Sequence, residues 1–409
     1  MNKANNALST WLIITIALLS MIGPFSIDTY LPSFPALESE FSINRGILLQ
    51  SIGFYLIASA ISTLFWGPLS DRLGRRIVII STLLLYMIAS LGCAMSQDFY
   101  SFLLFRILQG ISASGGMVAG RAMIRDAHDE HEAHRAMAYV MMLFALAPAI
   151  APIIGSWLHQ AYGWRSVFYF LALYGGIIIL MAIYYLPETL AKDQRQSFHP
   201  LHVAKVYCRT MKNGRFLFFV LSLATGFSGL FLYIAGSPTI IFDFLGLDSS
   251  YFAIQFVPMT AGIIAGSYLS AKLSHRFQSK NIVILALTIM MIASILNVLL
   301  MMSDEISVLN LILPLVLYSF GIALGIPGIS ILSLDCFPHN RGTASAVQSF
   351  MQVLFSALAA ILLVPLLTAS PLHYALAQWV CIFLAIFFWL AGNMFKLEGT
   401  RNVQAHRTL

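Results

Sequence analysis

Apolar runs of membrane-spanning length follow one another through almost the whole chain, near residues 11–31, 46–69, 77–96, 99–121, 136–159, 165–186, 215–240, 250–273, 281–302, 308–333, 342–368 and 372–395. A helix needs about 20 apolar residues to cross a hydrocarbon core of about 30 Å. Lipid offers backbone N–H and C=O groups no partner, so each crossing must satisfy them internally. The pattern predicts an all-α membrane protein with twelve transmembrane helices. A β-barrel is excluded, because its strands alternate in short segments of about ten residues and these runs are continuous. The first run is too long, and too closely followed by others, for a removed signal peptide. It is read as helix one.

A chain that is 59% hydrophobic and 10% charged has little charge to place, so the positions of that charge report topology. With an even helix number, one face holds both termini and the loops near 70–76, 122–135, 187–214, 274–280 and 334–341. That face collects nearly all the Lys and Arg; Arg45 and Arg165 fall opposite, and Arg106 falls inside a run. The positive-inside rule makes both termini cytoplasmic. The net charge of +6 reflects this bias and contact with anionic lipid, and gives no support to nucleic-acid binding. Cys93, Cys208, Cys336 and Cys381 form no CxxC pair and no zinc-like spacing with histidine, so they read as small packing residues.

The longest polar connection runs from Pro187 to Arg215 and includes Lys192, Asp193, Gln194, Arg195 and His199. It divides the chain into a six-helix bundle (1–186), a flexible or amphipathic linker (187–214) and a second bundle with a short tail (215–409). Residues 68–76 align without a gap on residues 268–276. Leu69, Ser70, Leu73 and Arg76 recur there as Leu269, Ser270, Leu273 and Arg276, Arg72 becomes Lys272, and Asp71 becomes Ala271. Both copies fall between the second and third helices of their half. Parallel six-helix repeats describe carriers whose halves rock about a central site.

Gly67-Pro68-Leu69-Ser70-Asp71-Arg72-Leu73-Gly74-Arg75-Arg76 resembles the G-x-L-x-D-R-x-G-R-R loop of the major facilitator superfamily. Leu103-Leu104-Phe105-Arg106-Ile107-Leu108-Gln109-Gly110-Ile111 resembles its fourth-helix arginine motif, and Ala147-Pro148-Ala149-Ile150-Ala151-Pro152-Ile153-Ile154-Gly155 its fifth-helix antiporter motif. With Ile27-Asp28-Thr29-Tyr30-Leu31-Pro32 and Gly342-Thr343-Ala344-Ser345-Ala346, they are similar to the Bcr/CflA branch of bacterial drug:proton antiporters. Two departures occur: Ala147 replaces the glycine before the first proline, and Ser156 replaces a second glycine. The resemblance implies the major facilitator fold, two six-helix bundles, in the bacterial inner membrane. It implies a monomer whose partners are a small-molecule substrate, protons and the lipid bilayer, with no cofactor.

Asp28 and Arg106 are the intramembrane charges expected to couple protons. At about 1.5 Å per residue, Asp28 lies about 26 Å from the start of helix one, and Arg106 about 11 Å from the opposite surface. Both therefore belong in the outer half. Ionised groups in hydrocarbon face the bundle interior and find partners, and a carboxylate's proton affinity rises with burial and falls beside an arginine. Asp28 is expected to bind the proton and Arg106 to tune or relay it; the rival reading is a permanent structural ion pair, or an acid at a wet helix end near Pro32.

Gly67, Asp71, Arg72, Gly74, Arg75, Pro148, Pro152 and Gly155 are the expected gating residues. Asp71 is expected to approach the positive N-terminus of helix eleven near Gly342-Thr343, and Arg72, Arg75 and Arg76 to pair with Asp126, Asp129 or Glu130. The two prolines remove hydrogen bonds from helix five, and Gly155 permits close packing. The family fold implies a cavity lined by helices one, two, four, five, seven, eight, ten and eleven. Its candidates here are Tyr30, Tyr55, Tyr139, Met142, Tyr233, Gln255, Tyr318, Gln348 and Gln352.

No G-x-x-x-x-G-K-[ST] loop occurs, so ATP does not drive the protein. HExxH and GxSxG are absent too, and the chain does not read as an enzyme. His128, His131 and His134 read as solvated loop residues rather than ligands of a metal. The expectation is a proton-coupled exporter of small amphipathic molecules; a proton-coupled symporter for an organic solute, an exporter of one dedicated metabolite such as a siderophore, and a channel are the rivals.

Overall fold

A computed structural model describes residues 3–191, 193, 195, 200–303, 307–338 and 340–395. Lys192, Gln194 and His199 of the connection, the side chains of Glu130, His131 and His134, and the tail from 396 lie outside the described residues. Among the described residues, twelve helices are long and apolar enough to cross a membrane. The first six are α1 (Lys3–Asp28), α2 (Arg45–Leu73), α3 (Arg75–Met95), α4 (Phe99–Ala127), α5 (Glu130–Tyr162) and α6 (Trp164–Tyr185). The second six are α7 (Gly214–Ala235), α8 (Phe252–Ser274), α9 (Ser279–Met301), α10 (Val308–Leu334), α11 (Arg341–Leu358) and α12 (Pro371–Met394).

Local chemistry sets the ends. Asn44, Asp98, Asp129, Asn213 and Ser307 each accept a backbone N–H of the first turn that follows, at 2.8 to 3.1 Å. Helix one was expected to reach residue 31 but α1 ends at Asp28, because Pro32 lacks an N–H and restricts Leu31. A tight turn (Leu31–Ser33) and a short helix (Phe34–Phe41) continue the apolar span. The run expected over 342–368 is one span in three pieces. After α11 comes a π-helical turn (Ala359–Leu363), then Val364–Leu367, since Pro365 has no N–H for the carbonyl of Ile361.

The same pairing builds both bundles. In the first, α2 packs on α4, α4 on α3, α3 on α6 and α1 on α5; in the second, α8 packs on α10, α10 on α9, α9 on α12 and α7 on α11 and α12. The bundles meet where α2 faces α11 and α5 faces α8. Their polar contacts lie at the face away from the termini: Arg45 bonds Asp243, and Gln160 Nε2 donates to Ser249 Oγ at 3.0 Å. Gly53 sits so close to Ile361 that a Cβ there would lie 2.0 Å from Ile361 Cγ1. Met141 and Met142 of α5 and Ala261 and Ala265 of α8 are exposed. A helix of the connection (Pro200–Met211) bridges the end nearer the termini, with Tyr207 OH donating to Leu64 O at 2.9 Å.

Candidate functional site

Arg106 is fully buried in α4, a position hydrocarbon would punish by several kcal/mol without compensation. Two rings supply part of it. The guanidinium carbon lies 4.5 Å from the Tyr30 ring centre and 4.6 Å from that of Tyr55, contacts worth about 2 kcal/mol each when desolvated. Nη1 donates to Ser26 O at 2.9 Å and to Gln109 Oε1, while Nε and Nη2 are buried without a partner. The site extends sideways through Gln109 Nε2 to Ser90 Oγ (2.8 Å), Ser26 Oγ to Tyr86 OH (2.7 Å) and Tyr30 OH to Ser51 Oγ (2.9 Å). The arginine is thus wedged upright between α1 and α2 by groups on four helices.

Asp28 closes α1 two residues beyond Ser26 and is 3% exposed. It forms no ion pair with Arg106 among the described residues, so the permanent pair entertained from the sequence is not what this conformation contains. The two groups occupy one polar layer. The Nε and Nη2 of Arg106, left without partners, can receive an acceptor on a ligand. Gly23, one and a half turns before Asp28, borders open space: a Cβ there meets nothing within 4 Å.

Gly155 fixes how α5 passes this layer. A Cβ at 155 would stand 1.8 Å from Thr29 O, so only glycine lets α5 lie against the backbone beside Asp28. Pro148 and Pro152 sit upstream in a helix that runs unbroken, leaving the carbonyls of Phe144 and Pro148 without their usual donors. Gly110 makes the matching approach on α4, 2.2 Å from Tyr55 O for a Cβ.

The other candidate cavity residues divide. Tyr233, Gln255 and Tyr318 are buried and bonded inside the second bundle. Tyr318 OH donates to Gly226 O (2.8 Å), Gln255 Nε2 to Tyr233 O (2.8 Å), and the Tyr233 hydroxyl accepts from Asn297 Nδ2 (2.5 Å). Tyr139 and Met142 are exposed on α5, and Gln348 and Gln352 are half-buried on α11, with the Gln348 amide bonded to Ser330 and Ser333. Asn297 also reaches Gln378 Oε1 at 2.8 Å, and these two amides were missed from the sequence.

At the termini face Arg75 gathers the loop. Its guanidinium bonds Asp71 (2.5 Å), Ser70 Oγ (2.5 Å) and Asp126 (3.1 Å), the last of which the sequence anticipated. Asp71 therefore turns to its own loop instead of to the N-terminus of α11, where Asn340 precedes Arg341 without a side-chain cap. Arg72 is exposed, and Arg76 Nη2 donates to Ile183 O at 2.6 Å. Glu188 was not foreseen: its carboxylate accepts the Arg75 and Arg76 amides (2.9 and 3.3 Å) at the positive end of α3. Gly74, with φ of +104°, makes room for it, since a Cβ would lie 2.4 Å from Glu188 Oε2. Gly67 has no such constraint, its nearest neighbour being 3.8 Å from a Cβ. Burial and the charge of Asp71 together push the Tyr207 phenol up.

Comparison with known proteins places this geometry. The chain is 23% identical over 405 residues to a bicyclomycin resistance protein homologue of Haemophilus influenzae, covering 97% of this chain and 100% of that protein. It is 26% identical over 345 residues to multidrug resistance protein D of Escherichia coli K12, covering 83% of this chain and 85% of that one. In fold it resembles a bacterial homologue of the human lysosomal transporter Spinster in an inward-facing, occupied conformation, with a TM-score of 0.74 at 15% identity over 97% of this chain and 98% of that one. The Major Facilitator Superfamily profile matches residues 16–361. That match takes in the α4 arginine site, the Gly67–Arg76 loop, the first bundle and the second as far as the eleventh span, so the chain belongs to the Major Facilitator Superfamily and is a membrane transporter rather than an enzyme.

Proposed function

We propose that the chain is a proton-coupled exporter of small amphipathic molecules that works by alternating access as a monomer in the bacterial inner membrane, with both termini cytoplasmic. The single observation that carries this reading is that one bundle buries both an acid, Asp28, and a guanidinium, Arg106, whose Nε and Nη2 have no partner, beneath the face where the halves close. A carrier coupled to protons needs a group whose proton affinity differs between its two conformations. Asp28 changes surroundings when α1 and α5 tilt about Gly155, so it suits that role. Drug-resistance names among the relatives favour export of amphipathic compounds, and the half-exposed thioether and amide groups of Met142, Gln348 and Gln352 suit loosely held, varied shapes. The end toward the termini is then the cytoplasmic mouth, and Asp71, Arg75 and Glu188 hold its rim.

The test uses everted membrane vesicles and a compound panel. Substrate addition should dissipate an imposed ΔpH in the wild type, and Asp28→Asn should bring ΔpH-driven flux to near background, a loss of roughly a hundredfold. An Asp28→Asn protein that transports with undiminished proton dependence would falsify the assignment. Uptake into intact cells together with proton influx would establish the symporter instead.

A further inference from the structure

Along one edge of a guanidinium, Nε and Nη2 present two parallel N–H groups that match the two oxygens of a carboxylate. Arg45 shows that match made: its Nε and Nη2 donate to both oxygens of Glu38 on the short helix Phe34–Phe41, at 2.6 and 3.2 Å. In Arg106 the same two atoms are buried without a partner. Arg76, Arg121, Arg195 and Arg215 leave only Nε in that condition, so among the described residues Arg106 alone buries the whole edge unpartnered.

The remainder of the Arg106 guanidinium is engaged, and by neutral groups throughout. The rings of Tyr30 and Tyr55 lie against it, and Nη1 is shared between Ser26 O and Gln109 Oε1. No ion pair among the described residues involves it. The fully buried cation therefore lacks two acceptors and a counter-charge at once. A neutral acceptor would relieve only the first deficit, whereas a carboxylate relieves both.

Room for the rest of such a molecule lies on the side of the chain start. Gly23 is half-buried, a Cβ on it meets nothing within 4 Å, and it precedes Ser26 by three residues, about 4.5 Å along α1. Open space thus comes within one helical turn of the carbonyl that Arg106 holds. We propose that Arg106 anchors the transported molecule, taking its carboxylate on the Nε–Nη2 edge while its apolar body extends past Gly23, so that the substrates are amphipathic carboxylates. This rests on the exporter reading above and adds to it the chemistry of the polar head.

The experiment compares para-benzoylbenzoate with its uncharged amide, para-benzoylbenzamide, as ligands of the full-length protein in lipid nanodiscs at about pH 7, where the acid is ionised. The benzoate should bind about tenfold or more tightly than the amide, the difference that hydrogen bonds to a charged group supply. Arg106→Lys keeps the charge without the paired donors and should lose most of that preference while still binding the amide. Illumination of the benzophenone in the wild type needs no variant, and should attach the benzoate to α1 between Ser20 and Pro24 or to α4 between Gly110 and Met117. Equal binding of benzoate and amide, an undiminished preference in Arg106→Lys, or attachment only outside those two segments would overturn the proposal. Binding is read without any gradient, so a benzoate preference in a protein whose transport ignores ΔpH would sink the proton-coupled reading and leave this site standing.

Discussion

The two bundles share one helix-packing scheme and differ in what they bury. The first encloses an acid and a guanidinium; the second encloses Asn297, Gln378, Gln255 and the phenols of Tyr233, Tyr318 and Tyr374, all neutral. Phe231 of α7 and Pro238 just after it stand at the spacing of Phe25 of α1 and Pro32 just after that helix, with Ile234 where Asp28 stands, and Ala271 replaces Asp71 in the repeated loop. Acid has been lost from the second half at both places. A neutral amide network, even with the Gln255 and Asn297 carbonyl oxygens left without partners, carries no group that changes charge near neutral pH, so it works as a frame. A buried charge must change partners or protonation when its surroundings change, so the first bundle holds the group that can respond to a gradient.

The hardest test of that contrast pits Arg106→Lys against Asn297→Leu. Lysine keeps the charge but loses the planar fork and the stack between Tyr30 and Tyr55, leaving an ammonium with fewer acceptors in a dry layer. The expected loss is about 2–4 kcal/mol of stability together with proton-coupled flux. Asn297→Leu strands the Tyr233 hydroxyl and the Gln378 amide for only about 0.6–2 kcal/mol, the range of interhelical bonds in membranes. Its pH profile of transport should match the wild type. Thermal melts in detergent alongside vesicle transport read both quantities, and a displaced pH profile in Asn297→Leu would erase the division of labour between the halves.

A smaller effect separates glycines that only look alike in sequence. Gly155→Val drives two methyl groups into the Thr29 carbonyl and should cost about 1–3 kcal/mol as overpacking, with transport lost because α5 is pushed off the Asp28 layer. Gly110→Val should behave similarly against Tyr55. Gly67→Ala should melt and transport within experimental error of the wild type, because a Cβ there fits at ordinary contact distance. Equal damage at all three positions would mean that the loop glycine acts through the backbone, and not through the packing described.

These cases also mark what a single sequence discloses. Spans were legible because hydrocarbon imposes one rule on every crossing, and Arg106 because a charge inside an apolar run demands an explanation. The partner of a buried polar atom was not: nothing about Tyr318 says that its hydroxyl meets the carbonyl of Gly226, and nothing about Asn297 points to Gln378. Tyr233, Gln255 and Tyr318 were assigned to a cavity wall by residue type, yet lie bonded in the bundle core of this structure. The contact expected between Asp71 and α11 is replaced here by the pair of Asp71 with Arg75, and one sequence encodes every conformation of a carrier at once. Glu188 escaped notice for a simpler reason, since an acid in a charged connection carries no sign that it caps α3.

The smallest predicted effect is one in which the halves should behave alike. Asp98 precedes α4 in the first bundle, and Asp248 precedes the turn into α8 in the second; both lie outside the spans. The backbone amide and then the hydroxyl of Ser101 hold the Asp98 carboxyl below its ordinary range, and the hydroxyl and then the amide of Ser250 do the same for Asp248. A lowered carboxyl contributes stability above the unfolded value of about 3.9 that is lost as pH falls through the folded one. Asp98→Ala and Asp248→Ala should therefore each lower Tm slightly at neutral pH and flatten its decline below about pH 4, by similar amounts because both groups are solvent-exposed and screened. A large loss from one and none from the other would show that the two bundles differ in local stability at the far face as well as in buried charge. The contrast drawn between their cores would then extend to their rims.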